Sequence, residues 1–189
     1  PHAMAAPTPV SAFLHSATMV KAGVFLLARL YPALGSSEPW FYIVGATGLV
    51  TLVLGAVIAL FQQDLKGLLA YSTISHLGLI TLLFGLDSPL AVVAGVFHIL
   101  NHAAFKASLF MAAGIIDHET GSRDMRRLNG LWKAMPVTGA LAIVASAAMA
   151  GVPLLNGFLS KEMFFAETLF IDAHRAVEWV VPAAATVAA

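Results

Sequence analysis

The stretch PLAVVAGVFHILNHAAFKASLFMAAGII, residues 89–116, decides the fold of this chain. Its 28 residues are apolar almost throughout, and about 20 such residues cross the hydrocarbon core of a bilayer as a helix. His98, His102 and Lys106 interrupt the apolar pattern at intervals of four residues. A helix therefore places them on one face, about 6 Å apart along its axis. Ionisable side chains are costly to hold at membrane depth and by default mark a functional site.

This row of ionisable groups has two interpretations. In the first, protons pass between the three side chains through intervening waters. In the second, the histidines hydrogen-bond to neighbouring helices and Lys106 extends along its own helix to the membrane surface. The second interpretation does not explain why all three groups share one helix face. The spacing therefore favours a proton path.

The composition places the whole chain in a membrane. It is 59% hydrophobic and only 11% charged, whereas soluble domains are about a quarter charged. A formal net charge of zero gives no reason to expect nucleic acid, and the lack of cysteine excludes disulfides and iron–sulfur ligation. Asp117, His118 and Glu119 are adjacent but lie in an arginine-rich loop, so we expect no metal, no cofactor and no enzymatic chemistry there. The pattern starts and stops abruptly, as expected for a piece of a longer protein.

The hydropathy pattern and the helix breakers predict an all-α, polytopic membrane helix bundle over residues 1–189. Gly45, Gly48 and Gly55 of the second helix would allow close contact with a neighbour. The predicted helices cover 9–31, 40–61, 68–86, 89–116, a broken pair at 136–150 and 157–171, and a truncated helix at 177–189.

Two further groups of polar residues lie inside predicted helices. His15 and Lys21 of the first helix are six residues apart, which on a regular helix separates them by about 120° and directs them to different neighbours. Lys21 is too deep to reach the membrane surface, so a buried polar role is expected. Ser72, Ser75 and His76 form a patch one turn long that either lines a hydrated site or bonds two helices together. The sequence leaves these two roles open.

The segment 136–171 is too long for one straight crossing and short for two crossings with a turn. Its centre, GVPLLNG at 151–157, is rich in residues that weaken helices. These features predict a broken transmembrane helix, with Lys161 and Glu162 just after the break on different sides of its second half. The alternative is a hairpin whose turn reaches water and leaves both charges at the surface.

The charged residues also predict the orientation in the membrane. If the helices alternate, the loops 62–67 and 117–135 share one side, and the positive-inside rule assigns that side to the cytoplasm. The opposite side carries Arg29, Glu38 and Asp87. The basic residues of the predicted cytoplasmic side are Lys66, Arg123, Arg126, Arg127 and Lys133.

The motifs now suffice for a family resemblance. The chain resembles the antiporter-like subunits shared by respiratory complex I, membrane hydrogenases and Mrp cation/proton antiporters. SATMVKAG, which contains Lys21, and LNGFLSKE favour the Mrp type, a multisubunit Na⁺/H⁺ antiporter, and within it the A-type subunit. The strings that carry the resemblance are APTPVSAFLHSATMVKAG, DLKGLLAYSTISHLG, FHILNHAAFKASLFMAAGIIDHETGSRD and NGFLSKEMFF.

The resemblance implies half of a module that is built from two inverted repeats, each with one broken helix. It implies that His15 bridges two half-channels, that His98, His102 and Lys106 form a central axis, and that Lys161, beside Glu162, is the broken-helix lysine. It further implies a bacterial plasma-membrane protein with other antiporter subunits as partners and with H⁺ and Na⁺ as transported ions. The alternatives are a subunit of a redox-driven pump and a non-conducting scaffold.

Overall fold

The computed structural model of the chain describes residues 7–16, 18–169 and 175–188. This part is built of α-helices and two short 3₁₀ turns, at Met19–Lys21 and Met125–Arg127. The helices are α1 (Thr8–Ser16), α2 (Ala22–Leu34), α3 (Glu38–Leu60), α4 (Leu65–Gly85), α5 (Pro89–Thr120), α6 (Leu131–Ala134), α7 (Pro136–Ala150), α8 (Asn156–Leu169) and α9 (Arg175–Ala188).

Four stretches within the described residues are long and apolar enough to cross a membrane. They confirm the predicted all-α membrane bundle. Their bounds are Thr8–Leu34, Glu38–Leu60, Leu65–Gly85 and Pro89–Thr120.

Most predicted helix bounds lie within a few residues of the observed ones, and α7 has the predicted bounds. Of the last two predicted helices, 157–171 corresponds to α8 and 177–189 to α9, except for residues 170, 171 and 189, which lie outside the described residues. Helix α4 begins earlier than predicted, because the Asp64 side chain accepts a hydrogen bond from Gly67 N at 2.8 Å and caps the helix.

The first helix differs from the uninterrupted one predicted over 9–31. Helix α1 ends at Ser16, and a 3₁₀ turn precedes α2. The Ser16 and Thr18 hydroxyls donate to the carbonyls of Ala12 and Phe13, and such bonds compete with regular helix geometry. As a result His15 and Lys21 do not face different neighbours: both contact α5.

Helices α3 and α4 pack with almost no space between their backbones. A Cβ added at Gly55 of α3 would lie 2.6 Å from Ser75 N of α4, and one added at Gly48 would overlap the backbone at Leu82. A Cβ at Gly45 would meet nothing within 4 Å, although the Gly45 backbone itself lies against Gly85 of α4. The glycines of α3 therefore allow the close contact that was predicted.

The chain after α6 crosses the bundle once, with a break. Ala145 of α7 packs with the carboxyl-terminal half of α5 in one apolar cluster. Beyond the break, Asn156 bonds to Asn101 in the middle of α5. Glu167, near the end of α8, accepts a 2.6 Å hydrogen bond from Ser88, just before α5 begins. The contacts thus run along α5 from one end to the other, so the segment is a broken crossing helix and the hairpin alternative is wrong.

Two apolar clusters cover the ends of α5. One cluster contains Ala91 and Ala94 of this helix, and the other contains Leu109, Phe110 and Ala113. His98, His102 and Lys106 lie between these clusters, whereas Asp117, His118 and Glu119 lie at the carboxyl-terminal end of the helix.

Candidate functional site

His98 is the most connected side chain of the site. Its side chain is buried, and its two ring nitrogens have partners on two other helices. His98 Nε2 lies 3.0 Å from His76 Nδ1 of α4, and His98 Nδ1 lies 3.0 Å from Ser160 Oγ of α8. Because one nitrogen of each bonded imidazole pair must donate and the other accept, the His76–His98 bond holds a single proton between the rings.

Lys106 is fully buried and also bonds to α4. Its Nζ donates to Ser72 Oγ and, at 3.3 Å, to the carbonyl oxygen of Leu69. Ser72 and His76 are one turn apart on α4. Helix α4 therefore presents a second polar row to the row on α5.

The polar patch of α4 divides between the two roles that the sequence left open. Ser72 and His76 face the site on α5. Ser75 instead donates a 2.9 Å hydrogen bond to Leu52 O and joins α4 to α3. The division follows from the helical period, because Ser75 is rotated about 100° from His76 and about 60° from Ser72 around the α4 axis, toward α3.

His102 lies between these two bonded groups. It is fully buried, and within the described part of the chain neither ring nitrogen has a hydrogen-bond partner. Its ring centroid is 5.3 Å from that of His76 and 6.4 Å from that of His98. The predicted row of α5 is therefore present on one face, but direct hydrogen bonds do not join its three members.

Lys21 and His15 approach the same helix from α1 and the turn after it. Lys21 is buried, and its Nζ donates a 2.9 Å hydrogen bond to Ile99 O of α5. The His15 ring lies 5.7 Å from the Phe110 ring, and its Nε2 is buried without a partner among the residues described. Both predicted residues thus lie beside the α5 row, one near its start and one beyond Lys106.

Lys161 and Glu162 lie on different sides of α8, as the sequence predicts. Lys161 is buried and donates at 3.3 Å to Ala150 O, at the carboxyl-terminal end of α7. Carbonyl groups at such an end lack helical partners and attract a cation. Gly151 ends α7 with φ +82°, a left-handed conformation that suits glycine. Glu162 is exposed, in contrast to the buried Lys161 beside it.

The sequence analysis missed three polar residues that join the break to α5. Ser160 bonds to His98, while Asn101 and Asn156 bond to each other. Asn101 had a detectable signal, since it is a carboxamide inside an apolar run between two histidines. Its partner was identifiable only after the break had been placed against α5.

The two predicted cytoplasmic loops are joined by ion pairs. Lys66, predicted as a loop charge, lies within α4, is buried and forms a 3.1 Å ion pair with Asp117 at the end of α5. Arg123 forms a 3.3 Å pair with Asp64. Between these side chains, Leu65 N donates to Arg123 O at 3.0 Å. The loops therefore form one connected surface at this end of the bundle.

Asp124, in the same loop, has its pKa lowered to about 2, mainly by hydrogen bonds from the Arg126 side chain and backbone. A lowered pKa means that the pair with Arg126 is complete above the ordinary aspartate value and is lost only as the pH falls through about 2. The charge of this carboxylate therefore stays constant near neutrality, and Asp124 contributes no pH dependence there.

Known proteins share this sequence and fold. A family model described as "NADH:quinone oxidoreductase/Mrp antiporter, TM" matches residues 1–185. The chain is 72% identical over 188 residues to a probable K⁺/H⁺ antiporter subunit of the A/B type from Rhizobium meliloti, covering 100% of this chain and 19% of that protein. It is 55% identical over 183 residues to a Na⁺/H⁺ antiporter subunit of the A type from Alkalihalophilus pseudofirmus, covering 89% of this chain and 23% of that protein.

A solved structure is similar along nearly the whole chain. The Mrp complex of Dietzia sp. DQ12-45-1b matches 98% of this chain and 20% of its own, with 47% sequence identity and a TM-score of 0.89. The chain thus spans about a fifth of the length of the relatives that it matches.

Proposed function

Because the chain belongs to the transmembrane family of NADH:quinone oxidoreductases and Mrp antiporters, we propose that it forms a proton-conducting half of a cation/proton antiporter subunit. In this role it moves protons through buried lysines and histidines, and the movement is coupled to Na⁺ export. The observation that carries the proposal is the polar row at the centre of α5, where Lys106 and His98 are buried between two apolar clusters and bonded to α4.

The proposed proton path runs from His15 through His102 and Lys106 to Lys161, with Lys21 and His98 beside it. Burial of His102, Lys106 and Lys161 supports their membership of the path. Buried polar groups are normally hydrogen-bonded to protein or water, so a hydrated link at His102 would connect the His98 group with the Lys106 group. Glu162, predicted as a member of the path, lies on the exposed face, and we leave it out of the path.

The physical basis of coupling is electrostatic. In a low-dielectric interior, burial disfavours the charged form of an ionisable group, and a nearby like charge disfavours it further. A proton or metal cation that arrives at one position of the row would therefore drive the next position toward its neutral form. Ion movement at one site would in this way force proton movement at another.

The transported cation can be identified by comparing proton movement driven by Na⁺ with proton movement driven by K⁺. The named functions of the two relatives differ, one being a K⁺/H⁺ and the other a Na⁺/H⁺ antiporter subunit. We propose Na⁺ as the exported ion and test K⁺ in parallel. The proposed partners are the other subunits of a multisubunit antiporter in the plasma membrane, with loops 62–67 and 117–135 in the cytoplasm.

The family description also includes subunits of redox-driven NADH:quinone oxidoreductases. That second candidate function predicts co-purification with subunits that carry quinone sites and iron–sulfur clusters. A cation/proton antiporter predicts small membrane subunits instead. Purification of the native complex, followed by identification of its subunits by mass spectrometry, separates the two functions.

The decisive test of the antiporter proposal is Lys106→Ala in the full-length protein, assembled with its partners in an antiporter-deficient bacterium. We expect proton efflux from acidified inverted vesicles on addition of Na⁺, followed with a fluorescent pH probe, to fall to background. Lys133→Ala, a change to an exposed lysine of the short helix α6, is the matched control and should leave transport intact.

Unchanged proton-coupled transport of both Na⁺ and K⁺ in Lys106→Ala would refute the proposal. A scaffold role makes a different prediction, because neutralising Lys21, Lys106 and Lys161 would then reduce the amount of assembled complex without changing transport per complex.

A further inference from the structure

The helix break is attached to the centre of α5 by two asparagines that bond to each other in both directions. Asn101 Nδ2 donates to the backbone carbonyl oxygen of Asn156 at 3.1 Å, and Asn156 Nδ2 donates to Asn101 Oδ1 at 3.2 Å. Asn101 is only 7% exposed. A carboxamide at this depth is costly without partners, so the pair is a specific contact between α5 and the first residue of α8.

A second bond between the same two helices lies one turn away. Ser160 follows Asn156 by four residues on α8, and His98 precedes Asn101 by three on α5, so each pair of residues shares one helix face. The His98 Nδ1 to Ser160 Oγ contact of 3.0 Å is therefore the direct neighbour of the asparagine pair. A sliding or rotation of α8 that breaks one contact would break the other.

Side-chain hydrogen bonds of the asparagine pair join the break to α5. Between Ala150 and Asn156 the chain leaves the α-helical hydrogen-bond pattern, and Gly151 adopts a left-handed conformation. The Gly157 backbone lies directly against the Ala148 carbonyl, a contact that joins α8 to α7 and not to α5. Side-chain bonds therefore contribute to the position of the start of α8 relative to α5, together with the apolar packing of Phe164 further along α8.

We infer that Asn101 and Asn156 are positioning residues: they hold the start of α8 in register with α5, so that Ser160 keeps its bond to His98. The inference rests on the proposed proton path, of which His98 is a part. It assigns the asparagines no proton transfer of their own.

The geometry of the asparagine pair predicts that alanine substitutions at residues 101 and 156 will weaken the contact between α5 and α8 to different extents. Asn101→Ala removes both hydrogen bonds. Asn156→Ala removes only one, because the backbone carbonyl of residue 156 still accepts from Asn101 Nδ2. The double variant should therefore behave like Asn101→Ala. Loss of a single buried hydrogen bond corresponds to roughly two- to tenfold in an equilibrium constant.

The test measures Na⁺- and K⁺-induced proton movement as a function of pH in inverted vesicles that contain the full assembled complex. We expect Asn101→Ala, which removes both bonds, to lower the rate by more than the roughly two- to tenfold of a single lost bond and to displace the pH profile as Ser160→Ala does. The Asn101→Ala/Ser160→Ala double variant should show no further displacement. Asn156→Ala should show a smaller change. Ser108→Ala, in which an exposed hydroxyl bonded within α5 is removed, is the control that should match the wild type.

A wild-type rate and pH profile in Asn101→Ala would overturn the inference. If Asn101→Ala reduces assembly of the complex, Asn156→Ala is measured instead. A displaced pH profile in Asn156→Ala supports the inference, and a wild-type pH profile overturns it. Lys106→Ala in the same assay separates the two proposals. Transport that survives Lys106→Ala contradicts the proposed function, whereas transport lost in Lys106→Ala with an unchanged profile in Asn101→Ala contradicts this inference alone.

Discussion

At the scale of single residues, the hydrogen bonds of Lys106 all go to neutral oxygen atoms. Its ammonium group bonds to a hydroxyl and to a backbone carbonyl, and within the described residues it forms no ion pair. Neutral oxygens stabilise a buried positive charge less than a carboxylate would. A lysine in such surroundings suits reversible protonation better than permanent structural pairing.

Ser72 should therefore affect transport more than its neighbour Ser75. Ser72→Ala removes a hydrogen bond to a charged group, a bond with a typical net contribution of about 1.5–3 kcal/mol, and we expect a transport rate at least tenfold lower. Ser75→Ala removes a bond to Leu52 O instead, and should lower the thermal stability of the complex while transport per complex stays near the wild-type level. Both effects are measured on purified complex and in vesicles. Equal transport rates in the two variants would contradict the assignment of Ser72 to the site.

At the scale of helices, the α3–α4 pair depends on glycines at specific positions. Helix α3 carries no ionisable side chain apart from Tyr42 and from Glu38 at its first residue. Its contribution is therefore to set the position of α4, which carries Ser72 and His76 on another face.

Gly55→Ala tests this packing against Gly45→Ala on the same helix. The added Cβ at residue 55 would lie 2.6 Å from Ser75 N, a backbone atom with little freedom to move, whereas at residue 45 it would meet nothing within 4 Å. We expect Gly55→Ala to destabilise the complex by about 1–3 kcal/mol, seen as a lower melting temperature in detergent. Gly45→Ala should melt close to the wild type, and similar melting temperatures for the two variants would argue against the close helix contact.

The two residues of the ion pair between α4 and α5 should affect the stability of the complex unequally when each is replaced by alanine. Lys66 has a side chain 5% exposed, whereas that of Asp117 is 31% exposed. Asp117→Ala would leave an unpaired buried ammonium group, which costs on the order of 3 kcal/mol. Lys66→Ala would leave a carboxylate that reaches water and has Arg123 3.9 Å away. We expect a lower melting temperature for Asp117→Ala than for Lys66→Ala, with the double variant between the two. The reverse order would show that the buried charge is compensated elsewhere.

At the scale of the whole molecule, the arrangement of helices places loops 62–67 and 117–135 at one end of the bundle and residues 35–37 at the other. The ion pairs that join the first two loops bring basic and acidic groups together at one surface. On the positive-inside rule we propose that this surface faces the cytoplasm.

Cysteine labelling tests that orientation without interference from this chain, which contains no cysteine. We expect Arg126→Cys, at a side chain 70% exposed, to react with a membrane-impermeant maleimide in inverted vesicles but not in intact cells. Ser36→Cys, which is exposed at the opposite end, should show the reverse pattern. Labelling of both positions from one side would rule out the alternating crossings.

The sequence by itself determined the class of protein and predicted the broken crossing, while the contacts along α5 excluded the hairpin. Apolar runs of membrane length, the four-residue spacing of His98, His102 and Lys106, and the breakers at 151–157 all act through local geometry. Local geometry also separated Lys161 from Glu162, because adjacent residues on a helix point in different directions.

Only the tertiary structure decided which polar groups meet. His76 with His98, Lys106 with Ser72, and Asn101 with Asn156 join residues from different helices, and no helical period relates them. The bond from Lys21, the last residue of the 3₁₀ turn, to Ile99 O on α5 is likewise a contact between separate helical segments. The register between helices depends on packing, glycine contacts and side-chain bonds across the bundle, all of which are non-local and cannot be derived from residue spacing.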